Sequence, residues 1–173
     1  QLEFLVSKEW SILFATGRNW KWAYECLKGI SFSYKAAVLN GALLRNHPTG
    51  EILYEKSLPL SLCHEMDKTV TSMASVGFVV HAQEEVYWDV FRFASDMQSH
   101  MKKRQEKQQD KWICVDSFQD IPHQKIRALS YFFREKEIAQ RVSSHLAHSY
   151  GISSPLMRDS FSDAIHIVQV TDR

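Results

Sequence analysis

The stretch KAAVLNGALLRNHPTGEILYEKSL, residues 35–58, decides the fold. At its centre Arg45-Asn46-His47-Pro48-Thr49-Gly50-Glu51 is turn chemistry, with proline presetting its own φ and glycine following where the chain doubles back. The flanks, 35–44 and 51–58, then read as the two arms of a β-hairpin. Ala36, Ala37, Leu39, Ala42 and Leu43 are good helix formers, so an all-α protein is the alternative. The turn residues favour strands.

On the N-terminal side, Asn19–Lys28 has the pattern of a helix capped by Asn19, and Trp10–Thr16 that of a strand. On the C-terminal side, Leu62, Met66, Val70, Met73 and Val76 mark a helix, followed by a strand at Val76–Ala82. Val86, Val90, Phe93, Met97 and Met101 recur at steps of three and four, which predicts one long helix over Gln83–Lys111. Trp112–Asp116 and Ala164–Val170 read as strands. Between them Pro122 opens a helix carrying Ile126, Leu129 and Phe133. A break at 134–137 then separates it from a second helix with Ile138, Val142, Leu146 and Tyr150, which stops at Gly151. The order implies an α+β protein, a mixed sheet with an N-terminal hairpin region covered by helices, in one globular domain over residues 1–173. With LRNHPTGEILYEKSLPL as second and third strands, this order resembles the ribonuclease H-like layout.

Composition narrows the function. Of 173 residues 45% are apolar and 24% charged, with a net charge of +1, so the strongly basic balance of a dedicated nucleic-acid binder is missing and a site of that kind must be local. No run of eighteen uncharged apolar residues is present, which argues against a membrane span. Cys26, Cys63 and Cys114 are odd in number and far apart, which fits a reducing, intracellular setting. The first residue is Gln1 rather than Met, which suggests a piece of a larger protein. Metal-ligand spacings, a Gly-x-Ser-x-Gly elbow and phosphate-cradling glycine loops are all missing, so no cofactor is expected.

The remaining signals are local. Met101–Trp112, MKKRQEKQQDKW, carries five basic against two acidic side chains, and Lys102, Lys103, Arg104, Lys107 and Lys111 on a helix extension would track a phosphate backbone while Trp112 stacks on a base. Trp20 and Trp22 crowd one short helix, so one of them faces a protein partner. These features predict a non-enzymatic interaction module that binds nucleic acid or a protein partner, away from any membrane. The alternative is a nuclease. A ribonuclease H-like site would use Glu65 with Asp116 and Asp163 around Mg²⁺, but the expected carboxylates are missing from the Trp10–Thr16 and Val76–Ala82 strands. A helical ribonuclease would pair Arg141, holding phosphate, with His148, moving a proton.

Overall fold

A six-residue helix, α1 (Leu2–Ser7), precedes strand β1 (Leu13–Ala15), the crossover helix α2 (Trp20–Leu27) and strand β2 (Tyr34–Val38). The structure, a computed structural model, describes residues 1–83, 85–108, 112–159 and 162–172, and the chain divides into two units, Gln1–Lys56 and Ser57–Arg173.

In the first unit β1 and β2 are parallel, as a strand–helix–strand connection requires. Leu39-Asn40-Gly41 then turns the chain with φ of 50°, 53° and 91°, and β3 (Leu43–His47) returns antiparallel to β2. The 48–50 turn leads into β4 (Ile52–Glu55), giving a four-stranded sheet in the order β1-β2-β3-β4. The expected hairpin thus exists between β3 and β4, but its first arm is two strands, because Asn40 and Gly41 tolerate the left-handed backbone that folds it. Ala23, Tyr34, Ala36, Val38 and Leu43 form the buried core beneath α2.

The second unit opens with β5 (Leu58–Pro59) and α3 (Leu60–Met73). Then come β6 (Phe78–Ala82), β7 (Glu85–Trp88), α4 (Ser95–Gln108) and β8 (Trp112–Cys114). The unit closes with β9 (Lys125–Ile126), β10 (Ala128–Phe133), α5 (Lys136–Tyr150), β11 (Leu156–Asp159) and β12 (Ser162–Val170). Its main sheet runs β11-β12-β10-β6-β7-β8, while β5 and β9 pair separately. Side chains alternate across the sheet. Phe78, Val80, Leu129, Tyr131 and Val168 face a core completed by Met66 and Val70 of α3 and Val142 and Leu146 of α5. Val79, Trp88, Phe132 and Ile167 face the opposite way, against Met97 and Met101 of α4.

Two expected helices are not formed. The 83–111 helix is strand β7, a turn and the shorter α4. Glu85–Trp88 alternates with β-branched and aromatic side chains, and Asp89 breaks the run by accepting hydrogen bonds from the backbone N–H groups of Phe91 (3.0 Å) and Arg92 (3.2 Å). The helix expected from Pro122 is β9 and β10; Ala128–Phe133 is buried at every position, as a central strand requires. The all-α alternative fails with these sheets. Ribonuclease H-like order fails as well: β1 is parallel to β2 across a helix, and the hairpin belongs to a different sheet from the later strands. Among the described residues no helix is long and apolar enough to cross a membrane.

Candidate functional site

The carboxyl ends of β1 and β2 lie side by side, and their loops are joined by backbone hydrogen bonds. Thr16 N–H donates to Ala37 O (2.9 Å), Leu39 N–H to Arg18 O (2.9 Å) and Asn40 N–H to Thr16 O (3.3 Å). These bonds stitch Thr16-Gly17-Arg18 to the left-handed turn after β2. The carboxyl edge of parallel strands is where open α/β sheets bind ligands, and left-handed non-glycine residues such as Leu39 and Asn40 concentrate at such sites.

Each residue there has a local role. Thr16 Oγ1 accepts the Arg18 N–H at 3.2 Å, which leaves its own hydroxyl proton to donate outward. Asn19 caps α2, its Oδ1 accepting the Trp22 N–H at 3.0 Å, so the positive end of the helix dipole opens at this turn. Arg18 lies 4.2 Å over the Trp22 ring, and its Nη1 donates to Cys26 Sγ at 3.1 Å. Residues 15–22 include Arg18 and Lys21 and no acid, so the turn is electropositive. A hydroxyl and a helix N-terminus thus share this turn, a combination suited to an oxyanion, while the Arg18 guanidinium is drawn along α2 toward Cys26.

The sequence-predicted residues lie elsewhere. Trp112 is buried in the core under α4, its ring edge-on to Trp88 at 5.9 Å, so it has no face for a base. Arg104 is committed to Asp159, whose carboxylate it reaches at 2.6 Å beside His100 at 3.3 Å. Lys102 and Lys103 are exposed on α4; Lys107 is on the same helix, its side chain outside the described residues, and Lys111 lies outside them altogether. Trp20 packs against the first unit's core with Arg45 at 5.3 Å over its ring, and Trp22 is covered by Arg18. Both tryptophans therefore have partners within the chain. Glu65 on α3, Asp116 after β8 and Asp163 on β12 are exposed and scattered, and among the described residues no group of three or more His, Cys, Asp or Glu could hold a metal. Arg141 and His148 lie two turns apart on the exposed side of α5. Burial pushes the Cys63 thiol up to about 12, which makes it a core thiol. A search for carboxylate ligands passes over the Thr16-Gly17-Arg18 turn, whose signal in the sequence is a strand, then Thr-Gly-Arg, then an Asn-capped helix.

A family model described as haloacid dehalogenase-like hydrolase matches residues 1–171. No curated protein matches the chain. Among solved structures it is similar to a haloacid dehalogenase-like hydrolase from B. subtilis, with 17% identity and a TM-score of 0.71 over 99% of this chain and 65% of that one. It is also similar to a phosphatase of that superfamily from Bacteroides thetaiotaomicron, with 16% identity and a TM-score of 0.67 over 98% and 57% of the two chains. A subclass IIB sugar phosphatase matches with 17% identity and a TM-score of 0.60 over 98% and 60%. The chain thus spans less than two thirds of the length of these structures.

Proposed function

The chain belongs to the haloacid dehalogenase-like hydrolase family, and from that premise we propose that it serves the hydrolysis of a phosphate monoester, with Thr16 and the first turn of α2 seating the phosphoryl group. The expected non-enzymatic interaction module and both nuclease readings are corrected by the family match over residues 1–171, and nucleic-acid binding and protein–protein interaction have no support beside it.

One observation carries the reading: Thr16 Oγ1 accepts the Arg18 N–H at 3.2 Å, at the carboxyl end of a parallel strand and beside a helix N-terminus. In phosphoryl transfer the protein's main work is positioning and neutralising charge on the phosphoryl oxygens. The Thr16 hydroxyl donates to one such oxygen, and the first-turn N–H groups of α2 supply positive charge beside it. Resemblance to a sugar phosphatase favours a phosphorylated sugar as substrate.

Hydrolases of this family typically use Mg²⁺. A magnesium ion needs hard oxygen ligands, usually including one or two carboxylates. Residues 1–56 contain no aspartate; Glu3, Glu9, Glu25 and Glu51 lie away from the carboxyl ends of β1 and β2, and Glu55, paired through Leu43 to Val38, stands alone two strands across from the end of β2. The residues present here do not fit a magnesium site.

The test is Thr16→Ala in the whole protein, assayed on sugar phosphates. Loss of one preorganised donor is expected to lower kcat/KM about 100-fold, with Thr16→Ser restoring most of it. Full activity in Thr16→Ala refutes this seat for the phosphoryl group.

A further inference from the structure

We propose that a cleft in the second unit binds a small apolar amino acid as its zwitterion, independently of the phosphate site. The cleft, of about 320 Å³, opens where the end of α3, the start of α4 and the β10–α5 junction meet. Its floor is apolar, built from Val76, Phe93, Met97, Phe132 and Ile138. That volume is within the range of small-molecule sites and leaves little room for a peptide segment.

The charged lining selects the ligand. Arg92 is already used, donating to Asp67 Oδ2 at 2.7 Å and to Thr71 Oγ1 at 3.2 Å. Arg134 pairs with Asp96, but their side chains are 56% and 60% exposed, so the pair contributes little and is readily shared. A guanidinium has five N–H donors, and one carboxylate does not exhaust them. Glu135, the next residue, stands at the N-cap of α5, and its carboxylate makes no capping hydrogen bond. The rim therefore presents a cation and an anion in succession above an apolar floor. A simple organic anion would meet Glu135 and Asp96 unfavourably, and a simple amine would leave the remaining N–H donors of Arg134 unused. An α-amino acid satisfies both charges and places its side chain on Phe93 and Phe132.

The experiment is an NMR titration of the full chain with L-phenylalanine, phenylacetate and phenethylamine, following the methyl groups of Met73, Met97 and Ile138. L-phenylalanine is expected to give saturable shifts at millimolar concentration, with each analogue about tenfold weaker. Arg134→Ala and Glu135→Gln, both at exposed positions, are expected to weaken L-phenylalanine by a similar factor while the remaining spectrum stays native. No saturable shift with L-phenylalanine overturns the proposal. So does an analogue, or a rim variant, that binds as tightly as the zwitterion to the native chain.

Discussion

A methyl group added at Gly77 would stand 2.5 Å from the Phe93 ring, closer than packed carbon atoms tolerate. Phe93 is packed beside Trp88 and Phe132, so the ring can yield only by giving up those contacts and moving into the cleft it lines. Gly77→Ala is expected to destabilise the protein by about 1–3 kcal/mol, read as a lower urea midpoint with an unchanged slope; an unchanged midpoint contradicts this packing. Single residues were also where the sequence was hardest to read. Arg104 looks like any other member of a basic run, and only the fold shows that Asp159, 55 positions later, lies against its guanidinium. Trp112 ends a charged segment in sequence but begins strand β8 in space, with its ring buried. Asn19 was legible because a cap is a local event: its carboxamide and the Trp22 N–H it accepts are three residues apart.

Elements whose signal is local were foreseen, including α2, α3, β6, β8, α5 with its left-handed Gly151 stop, and β12. The failures share a cause. Apolar residues at 86, 90, 93, 97 and 101 mimic a helical stripe, yet they come from a strand, a turn and a helix packed against the same face of the sheet. Periodicity reports burial on one side without saying which backbone delivers it. Strand β6 also carries a testable charge effect. Desolvation pushes the His81 imidazole down to about 3, and the positive charge of Arg104 pushes it the same way. The unfolded chain takes up this proton near its ordinary value of 6.5, while the folded chain stays neutral until about 3. His81 therefore costs nothing above 6.5 and removes stability as pH falls through that window, at up to about 1.4 kcal/mol per pH unit. Urea unfolding at a series of pH values checks this: His81→Gln is expected to flatten the slope between pH 6.5 and 3, and an identical slope in both proteins contradicts it.

At the scale of the whole molecule, a mixed α and β architecture was legible, since turn chemistry and β-branched runs alternate with helical stripes along the chain. The site was not. Its residues are a threonine, a glycine and an arginine, types common enough that nothing marks them until β1 and β2 are set parallel and their carboxyl ends meet. The basic segment 101–112 is the more conspicuous feature, because charge density is visible in a sequence and strand direction is not. The proposed anion seat lies at the β1–α2 turn. The most direct test is an amide NMR titration of the chain with inorganic phosphate. Saturable shifts are expected at Gly17, Arg18 and the first turn of α2, lost in Thr16→Ala, with Lys102 and Lys103 unmoved. Shifts confined to α4, or none at the β1–α2 turn, would contradict it.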